Sequence, residues 1–191
     1  LKSDEDHFAE EVYPKNNVVT STLFNDNVIF MSRDEAMYRY DGLGFKKITA
    51  GSNPKPAFGV SIQRRFAIAG AADKRTTIDI SRVDEFNVFP EDEDAAATAV
   101  TRAADINVGN IIGTADEIKG LGVFENSKLA VFTNDQVVIY DLHPDLTQWQ
   151  INDKSNVKVG TLSHNTIATA GSDIMFCSRD GVHSLRRSDT N

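Results

Sequence analysis

The chain alternates between short β-prone apolar runs and polar turns, and this order recurs four times along its 191 residues. In each repeat, one strand leads through a turn into a second apolar strand, and a tight turn leads into a third. Two of the tight turns follow nearly identical pentapeptides, Phe-Met-Ser-Arg-Asp at 30–34 and Phe-Cys-Ser-Arg-Asp at 176–180. The pattern predicts an all-β protein built from repeated antiparallel meanders.

Each repeat is predicted to contain three or four strands. The first repeat has predicted strands at 18–23, 28–31, 36–40 and 45–49, and the second at 58–62, 66–69, 77–80 and 86–89. The third has them at 121–124, 129–132, 137–140 and 149–151, and the fourth at 166–170, 173–177 and 182–185. We expect the chain to stop before the fourth strand of its last repeat.

The middle strands predict how the repeats are arranged. Aligned on Phe30, Ile68, Val131 and Phe176, they are spaced by 38, 63 and 45 residues, and two of these intervals fit the period of propeller blades. Their apolar residues are consecutive, which is typical of strands buried on both faces. We therefore expect a β-propeller-like array of three- to four-stranded meanders, about four blades of a larger ring.

The predicted domain organisation follows from these repeats. The blades span 18–187, at about 18–50, 58–90, 114–152 and 160–187, with an insertion rich in alanine and acidic residues at 90–113. Residues 1–17 are an N-terminal extension or the start of an interior fragment, and 188–191 are a tail. Propensity leaves open whether the alanine-rich stretch 95–104 is a helix or a mobile loop.

Residues at the tight turns have a local structural explanation. Asp tolerates left-handed backbone and accepts hydrogen bonds from its own chain, and Asp-Gly is a strong hairpin signal. We therefore interpret Asp34, Asp135, Asp180 and Gly181 as structural turn residues.

Amino-acid composition limits the classes of protein to which the chain can belong. No apolar run approaches the ~20 residues that would cross a bilayer, and the single cysteine excludes an internal disulfide framework. The net charge of −8 disfavours a surface that binds the phosphates of nucleic acids. The strongest acidic run, formed by Glu91, Asp92, Glu93 and Asp94, is typical of a solvated face, with calcium binding as a weaker alternative.

Catalytic and metal-binding patterns are weak. His164 and His183 are near enough in sequence to Cys177 to suggest a catalytic Cys/His pair. Cys177 lies in an apolar run, however, and is better interpreted as a small buried hydrophobe. The histidines lack metal-ligand spacing, and no acid and base occur at a fixed catalytic spacing. We expect no enzyme activity, no metal and no cofactor, and we interpret Tyr140 and Trp149 as packing aromatics.

Three segments carry a resemblance to a known family: residues 113–133, then 159–167 following Trp149, then 176–185. They resemble the propeller region of the tail nozzle, or DNA-stabilisation, proteins of short-tailed bacteriophages. The resemblance covers about 58–187, and it leaves out the first 16 residues and the insertion.

The resemblance implies a structural virion protein of the phage tail. Several copies would form a ring that extends the DNA exit channel, with the portal or adaptor and with tail fibre or needle proteins as partners, and without a membrane. A conduit for DNA must not bind it, so acidic side chains are expected on the lumen, with Glu91 to Asp94 as candidates. Assembly is expected in the host cytoplasm.

A second function class remains open from the sequence. A propeller or sandwich can also recognise a glycan or a protein at a cell surface, with its loops as the binding site. Residues 71–76 and the segment between Phe89 and Thr114 are the candidate binding loops.

Overall fold

The computed structural model describes residues 16–49, 52, 54–92, 97–98, 100–113, 115–124, 127–152 and 157–185. Within them the chain forms four antiparallel sheets, each a meander whose strands pair in chain order. Helix is limited to α1 (Gly109–Ile112) and to short 3-10 turns at Pro90–Asp92, Leu146–Gln148 and His164–Thr166 in these ranges. The predicted all-β class is confirmed.

The strands follow the repeats of the sequence. Sheet 1 contains β1 (Thr20–Phe24), β2 (Asn27–Met31), β3 (Tyr38–Tyr40) and β4 (Phe45–Lys47). Sheet 2 contains β5 (Phe58–Ile62), β6 (Arg65–Ala69), β7 (Thr77–Ile80) and β8 (Ala104–Asn107). Sheet 3 contains β9 (Gly120–Phe124), β10 (Lys128–Phe132), β11 (Val137–Asp141) and β12 (Gln150–Ile151), and sheet 4 contains β13 (Ala168–Ala170), β14 (Asp173–Ser178) and β15 (Gly181–Ser184).

Three hydrophobic clusters lie between successive sheets. The cluster between sheets 1 and 2 contains Phe24, Ile29 and Phe66. The large cluster between sheets 2 and 3 also holds Tyr140 and Trp149, as predicted. The cluster between sheets 3 and 4 places Phe132 on Phe176 with ring centroids 5.0 Å apart. Sheets 2 and 3 are therefore covered on both faces.

The fourth strand of sheet 2 is not where the sequence predicts it. Residues 86–89 form a loop, and Ala104–Asn107 pairs with β7 instead. Phe86 and Phe89 both pack into the cluster between sheets 1 and 2. Residues three apart in a strand point to opposite faces, so an extended strand cannot place both rings on one side.

The insertion is held in place by a buried arginine. Arg65, 1% exposed, donates from its guanidinium to the carbonyl oxygens of Ser81, Val100 and Arg102. No helix occurs in the described part of the alanine-rich stretch, which is 97–98 and 100–104. The carbonyl oxygens of Val100 and Arg102 bind Arg65, which removes them from the regular hydrogen bonds of a helix.

Candidate functional site

Loops from all four sheets meet around one cleft of about 440 Å³, which we call the central cleft. It is lined by Thr20 of β1, Phe58 of β5, Glu117 just before β9 and His164 just before β13. The first strands of neighbouring sheets contact each other in order, β1 with β5, β5 with β9 and β9 with β13. The central cleft is therefore where the repeats converge.

Glu117 is the centre of an ion cluster in the central cleft. Its carboxylate lies 3.2 Å from the guanidinium of Arg33 and 3.2 Å from that of Arg75, and it also accepts a hydrogen bond from Lys119. The hydrogen bond from Lys119, followed by that from Arg33, lowers the pKa of Glu117 to about 2. One carboxylate thus joins the β2–β3 turn, the β6–β7 loop and the segment before β9.

The neighbouring Asp116 fixes this segment to sheet 3. Its carboxylate accepts hydrogen bonds from the backbone and the side-chain amide of Asn134, in the β10–β11 turn, at 3.2 and 2.7 Å. Burial alone would raise the pKa of Asp116, but hydrogen bonds from Thr133, Glu117 and Asn134 outweigh it and lower the pKa. The two adjacent acids therefore act as structural acceptors, each for a different set of donors.

His164 closes the other side of the central cleft. Its ring stacks on Phe58, with centroids 4.8 Å apart and planes 15° apart, and its Nδ1 accepts a hydrogen bond from the Leu121 backbone at 3.4 Å. Burial lowers the pKa of His164 to about 4, so the ring is neutral at pH 7. A Cβ on Gly120 would clash with Ile167 and lie 3.1 Å from the His164 Cα, so this close approach needs glycine.

A second cleft, of about 450 Å³, lies between sheets 1 and 2 and is called the side cleft. Lys74 donates to Asp79 at 3.2 Å and to Glu91 at 2.9 Å. Burial raises the pKa of Asp79, while the acidic partners of Lys74 outweigh burial and raise its pKa. The side cleft is therefore rimmed by an internally paired set of charges.

The predicted acidic run is divided by the structure. Glu91 is exposed and paired with Lys74. Asp92 accepts hydrogen bonds from the backbone and hydroxyl of Ser52, at 2.7 and 2.8 Å, and from the Phe89 backbone at 3.2 Å. Glu93 and Asp94 lie outside the described residues. Asp92 has a local structural use, and the lumen assignment of the run stays a prediction.

The four predicted turn residues lie at the connections between second and third strands. Asp34 has a φ of 68° between β2 and β3, and Gly181 has a φ of 131° at the start of β15. The backbone of Asp135 donates to the Thr133 hydroxyl at 3.3 Å, and that of Asp180 donates to the Ser178 hydroxyl at 2.9 Å. A hydroxyl residue at the end of the middle strand therefore orders these last two turns.

Cys177 and its histidines do not form a catalytic pair in the structure. Cys177 is half-buried, which corrects the expectation of a buried thiol, because its position in β14 points away from sheet 3. His183 instead places Nε2 2.8 Å from the Ser178 hydroxyl and stacks on Phe176. That hydroxyl already orders a turn, so we interpret the Ser178–His183 contact as structural.

Sequence reasoning missed the Glu117 cluster, since its members are 33, 75, 117 and 119 and follow no motif. The available signal was only that all four charged residues lie outside the strands, Arg33 and Arg75 between second and third strands and Glu117 and Lys119 just before a first strand. Within the described ranges, no three His, Cys, Asp or Glu side chains are grouped to hold a metal ion. None of the described helices is long and apolar enough to span a membrane.

Comparison with known proteins bears on the fold alone. No protein family matches the chain, and no curated protein sequence matches it. Among solved structures, the chain is similar to the crystal structure of the computationally designed Ika4 protein, with 12% identity and a TM-score of 0.50. The similarity covers 91% of this chain and 93% of the designed one.

Proposed function

We propose that this chain is a structural protein of a bacteriophage tail, in which its four sheets are consecutive blades of a propeller-like ring. Copies of it would form a nozzle or hub on the tail axis, between the portal or adaptor and the fibre or needle proteins. The observation that carries the proposal is a packing polarity that repeats from sheet to sheet.

This polarity is visible in the middle strands. Ile68, Val131 and Phe176 occupy the same position of their repeats, and each is buried in the cluster shared with the preceding sheet. The residue after that position is buried toward the following sheet, as Met31, Ala69 and Phe132 are. Elements that stack with one constant polarity generate a closed ring or an open array.

The inner strands support a common centre for the blades. Thr20 and Thr22 of β1 donate from their hydroxyls to the carbonyl oxygens of Ala57 and Gly59, at 2.7 and 2.9 Å. The Glu117 cluster then joins sheets 1, 2 and 3 at one end of these strands. Both features hold blades in register, which suits a component that carries load.

Charge supports a role in which DNA passes without tight binding. The net charge of −8 opposes association with a polyanion, and the cations of the central cleft are neutralised in part by Glu117. Placement of the acidic run on the lumen remains part of the proposal. Fluorescence anisotropy with duplex DNA is expected to show binding weaker than about 10⁻⁴ M at physiological salt.

Electron microscopy of the chain mixed with purified portal and tail assemblies tests the proposal. We expect additional ring-shaped density on the tail axis, present with this chain and absent with an unrelated acidic β protein. A chain that leaves those assemblies unchanged would contradict the assignment to a phage tail.

The alternative is a surface-binding module, and one observation favours it. The loop predicted for binding lines the side cleft with Ala71, Ala72, Asp73 and Lys74. Loops on a rigid scaffold are common binding sites. A glycan array with the purified chain would favour this alternative if it showed specific binding that Lys74→Ala abolished.

A further inference from the structure

The cations of the central cleft carry more hydrogen-bond donors than Glu117 can accept. Among the described residues, Arg33 and Arg75 each direct one guanidinium nitrogen to the Glu117 carboxylate, at 3.2 Å, and the Lys119 amine also donates to it. A guanidinium and an ammonium each have several N–H donors. Arg33 and Lys119 line the central cleft, so their remaining donors are available to a bound acceptor.

The charges of the central cleft leave positive charge in excess. The site contains three cations and two carboxylates, which are Arg33, Arg75, Lys119, Glu117 and Asp34. The next acid, Asp116, does not line the cleft, and its carboxylate accepts hydrogen bonds from Asn134 on sheet 3. One excess positive charge suits a carboxylate better than a phosphate monoester, which carries about −1.5 to −2 at pH 7.

Ser32 adds a buried hydroxyl that is not used within the fold. It is 1% exposed and lines the central cleft, and its hydroxyl makes no hydrogen bond to another described residue. Ser178 occupies the same position of the matching pentapeptide, and its hydroxyl contacts the Asp180 backbone and His183. Buried polar groups are nearly always hydrogen-bonded, so the Ser32 hydroxyl indicates a ligand that brings an acceptor into the cleft.

The rest of the central cleft offers apolar surface. Val18 and Leu162 line it and are 65% and 54% exposed, and the buried side chains of Phe58 and Ile118 line it as well. Small-molecule sites combine such apolar walls with a few polar groups, and the volume of about 440 Å³ lies within their usual range. A ligand of this cleft therefore has an apolar part beside its negative charge.

We propose that the central cleft binds a carboxylate attached to a short apolar group. Arg33 and Lys119 are its ion-pair partners, Ser32 is a hydrogen-bond donor to it, and the planar guanidinium of Arg33 matches the geometry of a carboxylate. Two sources share this chemistry, a small-molecule acid and the C-terminal carboxylate of a peptide. This site goes beyond the tail role proposed above and does not depend on it.

Hexanoate is the first probe of the site, with hexanamide as its uncharged control. Titration of the full chain, followed by two-dimensional NMR, is expected to give a dissociation constant of about 1 mM or lower for hexanoate. The shifted amides should include Arg33, Lys119 and Ser163. Hexanamide should bind at least about tenfold more weakly, because it lacks the charge that the cations recognise.

The two matching pentapeptides provide matched arginine variants. Arg33→Gln should weaken hexanoate binding at least about tenfold, because it removes a charge-assisted contact. Arg179→Gln makes the same change at the same position of sheet 4, away from the central cleft, and should alter the affinity less than about twofold.

The two serines separate binding from folding. Ser32→Ala should weaken hexanoate binding about threefold without lowering the free energy of unfolding, since its hydroxyl has no partner to lose among the described residues. Ser178→Ala should do the opposite, because its hydroxyl orders a turn and contacts His183. A Ser32→Ala variant that lost stability and kept its affinity would contradict the role of Ser32 as a ligand contact.

The source of the carboxylate is tested with N-acetyl-leucine and an acetylated pentapeptide that ends in leucine. Tighter binding of the pentapeptide assigns the site to peptide C-termini, and equal binding assigns it to small acids; both uphold the proposal. The proposal is overturned if about 10 mM hexanoate shifts no amide of the central cleft. It is also overturned if hexanamide or the amidated pentapeptide binds as tightly as its acid, or if inorganic phosphate binds more tightly than hexanoate.

Discussion

Sheets 2 and 3 differ from sheets 1 and 4 in burial, although all four share the same meander. Every residue of β6 is buried, as are four of the five in β10. In sheet 4, by contrast, all three residues of β13 are exposed and β15 contains no buried residue. The difference follows position among the described sheets, since sheets 2 and 3 each share a hydrophobic cluster with two sheets and sheets 1 and 4 each share one with a single sheet.

The comparison shows where the stability of the array resides. A single repeat of a repeat protein cannot bury its apolar faces alone and depends on stacking against its neighbours. The interfaces between sheets supply what each sheet lacks, so inner substitutions are expected to cost more than outer ones. Four predictions sharpen or break this contrast.

The largest effect is expected for Phe132→Ala, in the interface between sheets 3 and 4. Phe132 is fully buried beside Phe176, so the substitution should lower the free energy of unfolding by about 3–5 kcal/mol. Leu23→Ala, at a position of β1 that is 66% exposed, should cost less than about 0.5 kcal/mol. Urea denaturation at low protein concentration measures both, and similar costs would contradict the contrast.

Glycine at a close approach should matter more than glycine in an open turn. A Cβ on Gly160 would clash with the backbone of Asn134 and Asp135, so Gly160→Ala is expected to cost about 2–3 kcal/mol. Gly42→Ala, in the β3–β4 turn, has open space but a φ of +88° and should cost about 1 kcal/mol. Equal shifts of the urea midpoint would show that the clash is relieved by local movement.

Glu117→Gln removes the charge that joins three sheets. We expect a loss of about 1–2 kcal/mol at pH 7, because three cations lose their common partner. The folded pKa of about 2 lies below the ordinary 4.5, so this stabilisation is present above pH 4.5 and is lost as pH falls toward 2.

The matched control for this prediction is Glu91→Gln. Glu91 is 57% exposed and pairs with Lys74 alone among the described residues, so its substitution should cost less than about 0.5 kcal/mol. Urea denaturation between pH 7 and pH 3 separates the two variants. If the unfolding free energies of the wild-type chain and the Glu117→Gln variant changed with pH in parallel, the stabilising role of the Glu117 carboxylate would be contradicted.

The smallest effect is expected from His164 through its proton. Its folded pKa of about 4 lies below the ordinary 6.5. Between these two pH values the imidazole is protonated in the unfolded chain and neutral in the folded chain. Stability should therefore fall by about 1 kcal/mol as pH decreases from 6.5 toward 5. His164→Phe, which keeps an aromatic ring on Phe58, should flatten the profile in that window, above the range in which Glu117 titrates.

Much of the fold was readable from the sequence. The apolar runs between polar turns predicted most of the strands. β5 (Phe58–Ile62) and β7 (Thr77–Ile80) have the predicted bounds. The strand predicted at 86–89 was wrong, because burying Phe86 and Phe89 on one side outweighed local propensity. The strand Ala104–Asn107 was missed because its pairing with β7 crosses a long insertion.

The candidate site was far less readable. Arg33, Arg75 and Lys119 belong to loops whose local sequence gives no reason to meet at Glu117. Their meeting depends on where three sheets place their ends. The sequence could predict that these loops carry charge, and it could not predict which charges pair.

Local sequence alone determined the meanders, because the alternation of side chains along a strand and the chemistry of a turn act over a few residues. Only the tertiary structure decided which sheet faces pack against each other and where the central cleft lies. Those properties depend on contacts between residues 40 or more positions apart, such as Phe58 with His164. No short-range pattern encodes such contacts, since each depends on the stacking of whole sheets.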